Sequence, residues 1–441
     1  MASSKKRPVD LASHVEQVLI KWVRPGQHLV LGLSGGVDSV VLLDLLVQLR
    51  TPLQFRLSAI HVNHQLSPHA AEWAAFCANL CQTRSVPLEI VAVTVARCSG
   101  DSLEAAARAA RHEALSRSAA DYIVLAHHLD DQAETLLLQL LRGCGVEGAS
   151  AMAEEGRRLL RPVLEISRGA LEQYAHQQDL AWVEDESNLD TRFDRNFLRH
   201  RLLPVLEERF PAYRETFCRA SRNFSESARL QEEIARQDAA TAIWDGKLTV
   251  QVLTRLSLPR AKNLLRHFLK QRGNISPSAA RLEEMLRQLL NARQDSQVKI
   301  PFGSYELRRF LGHAWVIPGA KPPDLSLCYP WRGESELELA ELGGGLKFWP
   351  VHGQGISLVR LQQEAVTIRV RQGGERLQPD CKRPRRSLKH LLQEAGVPPW
   401  LRHTMPLLYS GETLVAALGV GVDCMFQAKP DESGVMLEWL A

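Results

Sequence analysis

No apolar stretch in the chain approaches the 18 residues that a membrane-spanning helix needs, and Met1 to Val9 is polar and basic with no apolar core region of the kind that marks a secretory leader. A cytoplasmic protein with no membrane partner is expected. Cysteine is scarce too. Eight residues scattered over 441 cannot make a disulfide framework, and no C-x-x-C pair occurs. Cys77 and Cys81, four apart on a predicted helix, read as two buried thiols rather than a metal pair. Net charge is only +4, so the total does not announce a nucleic-acid partner and local clusters have to decide that. Lysine is missing altogether between Lys21 and Lys247. What is present is the composition of a globular protein, 45% hydrophobic and 24% charged, in a chain too long for one hydrophobic core.

Against that background six residues stand out. Ser34-Gly35-Gly36-Val37-Asp38-Ser39 lies between the apolar run His28 to Leu33, which reads as a buried strand, and Val40 to Leu46, which reads as a helix packed on it. Gly35 and Gly36 let main-chain N–H groups approach a ligand, Ser34 and Ser39 add hydroxyls, and the helix start supplies open N–H groups and partial positive charge. Such a turn suits an anion. Asp38 beside a phosphate is repulsive unless a divalent cation lies between them, as magnesium does with nucleotides. The turn therefore reads as a site for magnesium-bound nucleotide, with an ordinary glycine turn whose Asp38 and Ser39 start a helix as the alternative. The common phosphate loop G-x-x-x-x-G-K-[ST] needs a lysine that this region lacks, which excludes a kinase-type or GTPase-type loop. The block resembles instead the SGGxDS motif of the N-type ATP pyrophosphatases, the PP-loop enzymes. These hold the pyrophosphate of ATP and activate a substrate by transferring AMP to it.

Strand and helix patterns alternate over the first two hundred residues. Phe55–His64, Pro87–Val95 and Tyr122–His128 read as strands, and Ala70–Thr83, Ser102–Ser118 and Asp130–Arg142 as helices. This predicts an α/β fold, a doubly wound parallel sheet with active residues at the carboxyl ends of the strands where strand order reverses. Ser34–Ser39, His61–His64 and His127–Asp131 occupy such ends and are expected to converge on one cleft. Past Gly156 helices dominate, at Ser167–Gln178, Phe197–Phe210, Tyr213–Ala240, Ser257–Arg272 and Ser276–Asn291, with short strands near Val298–Ile300 and Tyr305–Phe310. Pro318 to Gly355 reads as linker with loose strands, followed by strand-like Val366–Val370 and Thr413–Val420 and the helix Ser387–Ala395. Three domains are expected: a nucleotide-binding domain over 1–215, a connecting helix and helical middle domain over 216–320, and a linker with a small α+β C-terminal domain over 321–441.

A second cluster, Ala126-His127-His128-Leu129-Asp130-Asp131-Gln132-Ala133-Glu134-Thr135, runs from a strand end into a helix. Asp131 and Glu134, three apart, share a helix face near the positive end of the dipole and suit a magnesium ion or an amine, although acidic residues in a first turn also serve as plain caps. His61, His64, His127 and His128 could suggest a zinc site, but no H-x-x-x-H pair lies on a helix and no cysteine is spaced to join them, which makes that the minor reading. They read as nucleotide contacts or packing. On the alanine-rich stretch Leu103 to His112, Arg108 and Arg111 share one face, where they clamp a phosphate or, in the bland reading, pair on the surface with Glu104. Between Cys381 and His403, Lys382, Arg383, Arg385, Arg386, Lys389 and Arg402 face only Glu394, a local excess suited to RNA phosphates. Arg192, Arg195, Arg199 and Arg201, with Asn196, form a second strip; either run is otherwise a solvated face. Trp400 stacks on a base or belongs to a core.

SGGVDS, HVNHQLS, EAAARAARHEAL, AHHLDDQAETLLLQLLRGCGVEGASAM, RPVLEISRGALEQY and WVEDESNLDTRFDRNFLRHRLLPVLEERFP occur in this order, and RPRRSLKHLLQEAGVPPWLRHTMPLLYSGETLVAALGV follows near the other end. Together they resemble the tRNA(Ile)-lysidine synthetase family in its long bacterial form, most weakly from about Trp244 to Ile368. The resemblance implies an ATP-dependent ligase that joins L-lysine to C2 of the wobble cytidine in the CAU anticodon of tRNA(Ile), through an adenylated cytidine, so that the codon read changes from AUG to AUA. It implies that Ser34, Gly35, Gly36, Val37, Asp38 and Ser39, with His61 and His128, hold ATP. Asp38 would ligate Mg2+, Arg111 would meet the α-phosphate, and Asp131 and Glu134 would bind the ammonium groups of the incoming lysine. Arg108, Arg195, Asn196, Lys382, Arg383, Arg385 and Arg386 would serve substrate binding. A homodimer is left open. The nearest alternative, a tRNA cytidine thiolase of the same superfamily, generally wants paired cysteines that are missing. A glutamine-using amidotransferase would need its own nucleophilic-cysteine domain, and no cysteine follows Met1. A tRNA-binding homologue without catalysis would be expected to lose Asp38 or the acidic pair, and all three are present.

Overall fold

The structure is a computed structural model that describes residues 10–65, 67–94, 103–273, 277–292, 298–319, 324 and 326–440. The polar leader over Met1 to Val9, the start of the helix expected from Ser102 and the Glu104 side chain lie outside the described residues. Two compact units divide the chain, Met1–Gln231 and Glu232–Ala441.

In the first unit α1 (Leu11–Trp22), β1 (His28–Gly32), α2 (Val37–Leu49), β2 (Arg56–Asn63), α3 (Ala70–Thr83), β3 (Leu88–Ala92), α4 (Leu103–Ser116), β4 (Tyr122–Val124) and α5 (Leu129–Leu141) alternate. They are followed by α6 (Val146–Ala149), β5 (Glu155–Gly156), β6 (Leu159–Leu160), α7 (Arg168–Gln177), α8 (Asp194–Phe197), α9 (Leu203–Arg209) and the long α10 (Tyr213–Ala242), in which the boundary between the units falls. The sheet order is β3-β2-β1-β4-β6-β5, parallel except for β5. The chain builds outward from β1 to β3 and then returns to the other side of β1, so strand order reverses between β1 and β4. A crevice opens at the carboxyl ends of the strands at such a point. Leu29, Val30 and Leu31 of β1 are fully buried, and α2 buries Val40, Val41, Leu42, Leu43, Leu45 and Leu46. A helix apolar on nearly every side is a core helix. At roughly 1.5–3 kcal/mol for each side chain taken from water, this packing fixes both ends of the turn that joins β1 to α2.

The second unit holds separate hydrophobic cores. One gathers Leu264, Phe268, Met285 and Leu307 between the helices Val250–Arg255, Leu258–Gly273 and Ala279–Asn291 and a five-stranded antiparallel sheet that includes Lys299–Phe302, Tyr305–Phe310 and His313–Pro318. Another gathers Leu346, Phe348, Ile368 and Leu408 between a five-stranded and a four-stranded sheet. The stretch read as linker is more ordered than expected. It contains the strands Cys328–Trp331, Glu336–Leu339 and Gly344–His352, the last pairing from Gly345 to His352 with Ser433–Leu440. Its glycines mark strand ends rather than a flexible tether, because Gly344 lies under the Trp439 ring, where a Cβ would come within 2.5 Å of the indole.

Candidate active site

The phosphate-type turn is shaped from within. Gly35 has φ +90°, and a Cβ there would lie 2.8 Å from Val183 Cγ2. Val183 N–H also donates to Gly35 O at 3.0 Å, so the segment after α7 closes one side of the turn. The buried Ser39 Oγ accepts from the N–H groups of Ser34 and Gly35 at 3.2 Å each and donates to Gly36 O at 3.0 Å. Its hydroxyl braces the loop rather than standing free for phosphate. Gly36 caps α2 with no side-chain bond, so the first amides of the helix receive no cap from it, and Ser34 Oγ lies 3.1 Å from Ser39 Oγ and accepts from Gly36 N–H at 3.3 Å. His61 is buried and donates Nδ1–H to Leu33 O at 2.9 Å, anchoring the strand end just before the turn.

Beside the turn lies a chain of polar side chains. Asp38 Oδ2 is 3.7 Å from His128 Nε2, which is 3.4 Å from Asp131 Oδ2. His128 is the N-cap of α5: its Nδ1 accepts from Asp131 N–H at 3.4 Å while Asp131 Oδ2 accepts from His128 N–H at 3.0 Å, a reciprocal cap. Asp131 Oδ1 accepts from Arg195 at 3.2 Å. Burial opposes the ionised form of Asp131, but His128, Arg195, His127 and the capping N–H together hold its pKa down at about 2. One turn on, Glu134 is fully buried, and its oxygens accept from Arg195 Nε and Arg199 Nε at 2.7 Å each and from a second Arg199 nitrogen at 3.0 Å. Arg195 and Arg199, four apart, share a face of the helical stretch in which α8 runs into a π-helical turn over Leu198–Leu202, and both reach the same carboxylate. The i,i+3 spacing foresees the shared face of Asp131 and Glu134. It does not foresee that both carboxylates are already occupied by arginine. A cavity of about 260 Å³ opens beside Glu134, Arg199, Arg168 and Glu172.

A cationic wall faces this chain. Arg161 donates to His127 Nδ1 at 3.3 Å and to Ala153 O at 2.7 Å. Burial, with the charges of Arg161, Arg108 and Arg195 outweighing Asp131, pushes His127 down to about 3. Arg111 donates to His64 Nε2 at 3.4 Å, and burial together with Arg111 and His61 pushes His64 down to about 4. Arg161 is absent from the expected site because it follows β6, a strand only two residues long that leaves no periodic signal. Burial raises Asp38 above the usual carboxylate range, Asp131 adding to it against His128, Arg168 and Arg199, and Asp38 Oδ1 is buried with no hydrogen-bond partner. Among the described residues no group of three or more His, Cys, Asp and Glu is arranged to hold a metal ion. A magnesium ion here would have Asp38 and the oxygens of the nucleotide itself, which is the usual way a nucleotide-bound magnesium is held.

The basic strips are less free than their count suggests. Asn196 donates to Asp190 O at 3.0 Å, and Arg195 is spent on the acidic pair. In the second unit, Arg385 is 2.9 Å from the fully buried Asp423, which also accepts from Gln378 N–H, and Arg386 forms a two-pronged pair with Glu394. Arg383 lies 3.5 Å from Asp380, and Lys382 is exposed. Asp423 stands 38 positions from Arg385, so a local charge count cannot see it. Trp400 packs edge-on against Phe310 and Trp315, with ring centroids 6.0 and 5.8 Å away, in an aromatic cluster of that unit.

Residues 9–206 match the PP-loop domain family, residues 248–315 the TilS substrate binding domain and residues 366–439 the TilS substrate C-terminal domain. The chain is 46% identical over 447 aligned residues to the tRNA(Ile)-lysidine synthase of Nitrosomonas europaea, covering 100% of this chain and 98% of that one. It is 40% identical over 446 residues to the tRNA(Ile)-lysidine synthase of an Azoarcus species, covering 98% and 96%. To the enzyme of that name from Ralstonia nicotianae it is 42% identical over 409 residues, covering 89% and 88%.

Two outcomes follow from the geometry. Gly35→Ala forces a Cβ against Val183 at a positive φ, and the variant is expected to lose binding of a fluorescent ATP analogue by about tenfold or more, the strain of such a backbone being roughly 1–3 kcal/mol. The pH dependence has a definite sign. His127 and His64 titrate near 6.5 in the unfolded chain and at about 3 and about 4 in the folded one, so the unfolded state binds more protons throughout that window. Stability is complete above pH 6.5 and declines as pH falls towards 4. The double variant His64→Gln with His127→Gln flattens that decline in the urea midpoint measured against pH.

Proposed function

The chain belongs to the tRNA(Ile)-lysidine synthase family, and on that premise we propose that it joins L-lysine to C2 of the wobble cytidine in the CAU anticodon of tRNA(Ile), as a ligase that forms a carbon–nitrogen bond at the expense of ATP. The observation that carries this reading is the unbroken line from the glycine turn through Asp38 and His128 to Asp131, at the point where strand order reverses.

The oxygen on C2 of cytosine does not leave as such. Transfer of AMP onto it makes a leaving group, and the diphosphate released sits on the amides at the start of α2 and on Ser34. When bound, magnesium supplies charge neutralisation at the phosphates, and Asp38, with a buried oxygen that no protein group satisfies, is the residue to hold it. Arg111 and Arg108 offer guanidinium to phosphate from α4. The ε-amine of lysine then attacks C2, a C–N bond forms, AMP departs with the electron pair of the C–O bond, and the nitrogen gives up a proton. Asp131 and Glu134 take the ammonium groups of the incoming lysine as Arg195 yields its place. Lys382 and Arg383 meet tRNA backbone phosphates in a salt-dependent way. No helix of the described residues is long and apolar enough to cross a membrane, and the cytoplasm is the proposed location.

The thiolase alternative meets a specific obstacle. Burial raises Cys77 to about 12 and Cys81 to about 11, and a thiol held protonated in a core does not carry sulfur.

Incubation with ATP, radiolabelled lysine and unmodified tRNA(Ile) bearing CAU is expected to place label in the anticodon nucleotide; sulfur incorporation, or ATP cleavage that leaves the label free, refutes the assignment. Asp38→Ala is expected to lower tRNA-dependent diphosphate release by about a hundredfold or more. Asp131→Asn is expected to raise KM for lysine by about tenfold while diphosphate release changes much less, so equal losses in both steps would remove the lysine-binding role.

A further inference from the structure

The cations that line the cleft of the first unit are all arginine. Residues 22–246 contain 23 arginines and no lysine, whereas from Lys247 onward the chain has nine lysines beside eighteen arginines. At the acidic pair, Arg195 rests on Asp131 Oδ1 at 3.2 Å and on Glu134 Oε2 at 2.7 Å. We propose that the lysine-free cleft is a specificity device: Arg195 holds the seat of the substrate amine as a cation that cannot react, so that free lysine is the one primary amine able to reach the activated pyrimidine. This rests on the reaction proposed above.

An adenylated cytidine reacts at C2 with any neutral primary amine in reach. Guanidinium is not such a group, since its lone pairs are delocalised and it stays protonated at every pH a protein experiences. Lysine differs. Burial and neighbouring cations both favour the neutral amine, and at Arg161 the cleft supplies both, burial with Arg108 pushing that group down to about 10. At Arg195 burial is outweighed by Asp131 and Glu134, so that a lysine there reacts only once its amine has left the acidic pair. A lysine tethered there would also act at a high effective concentration and outrun the free amino acid. Its ε-nitrogen would bond to C2, AMP would leave with the C–O electron pair, one proton would be lost, and protein and RNA would remain covalently joined. The same selection explains why the cations on His127, His64 and Glu134 are Arg161, Arg111 and Arg199, where lysine would carry the same charge.

Arg195→Lys and Arg161→Lys are to be incubated with ATP and unmodified tRNA(Ile) without free lysine, while diphosphate release and protein–RNA adducts stable on denaturing gels are followed together. At least one variant is expected to form an adduct about tenfold or more above wild type, mapped by peptide mass to the substituted position and suppressed by added lysine. Diphosphate release without an adduct in both variants overturns the proposal. An adduct formed by the wild-type protein through one of its own lysines overturns it as well, and that arm stands even where a variant fails to fold. Wild-type protein that adds no lysine to the RNA counts instead against the parent assignment.

Discussion

Two carboxylates buried at the start of α5 set the conditions for everything around them. An unpaired carboxylate taken out of water costs several kcal/mol, so Asp131 and Glu134 persist only because Arg195, Arg199 and His128 are packed against them. Those partners come from different parts of the first unit. His128 is the N-cap of α5, four residues past the end of β4, while Arg195 and Arg199 lie more than sixty positions further on. The ionic cluster thus pins the segment 194–202 to the cleft, and through His128 it reaches Asp38 and the nucleotide turn. Removing one side of such a pair leaves a stranded charge at about 3–5 kcal/mol, which makes the cluster a stronger constraint than its exposed counterparts on the surface.

The same cluster joins the two halves of the chemistry. On the reading proposed above, a cation held by Asp38 would compete with His128 for that carboxylate, and an ammonium arriving at Asp131 would compete with Arg195. Each substrate group would then replace an interaction already present in the protein, and at Asp38 the cation would also satisfy the Oδ1 atom that no protein group reaches. Preorganised charge of this kind costs little reorganisation when the reacting groups arrive.

Much of this was legible in the residues. The apolar run before Ser34 and the apolar helix after Asp38 are periodic signals over a dozen positions, and Gly35 occupies the positive φ that a glycine pair in a tight turn suggests. The convergence of Ser34–Ser39, His61–His64 and His127–Asp131 followed from strand ends alone. The occupancy of the carboxylates did not, because Glu134 meets Arg199 across 65 positions and Arg385 meets Asp423 across 38. Charge counted along the chain treats these as free groups, whereas pairing is decided in three dimensions. Ser39 shows the same limit on a smaller scale. Its type suits a phosphate donor, yet its hydroxyl is consumed by the turn that it belongs to. The strands between Cys328 and His352 were hidden for another reason, since their glycines and prolines carry the local signal of a linker while long-range pairing with Ser433–Leu440 decides the outcome.

The chemistry of the cleft also bears on the form of its nucleotide turn. A phosphate loop of the lysine-bearing kind would bring a primary amine to the β and γ phosphates, a few ångströms from the α-phosphate at which an amine-sensitive electrophile is made. On the proposed reading the corresponding work would fall to backbone N–H groups at the start of α2, which cannot act as nucleophiles, and to a cation that Asp38 would hold. The uncapped helix end, the orphaned Asp38 oxygen and the arginine wall then answer one requirement. Negative charge has to be gathered and neutralised in a confined space by groups that will not themselves attack the activated base. Helix amides, a metal-ligating carboxylate and guanidinium meet that condition, and lysine is the common cation that does not.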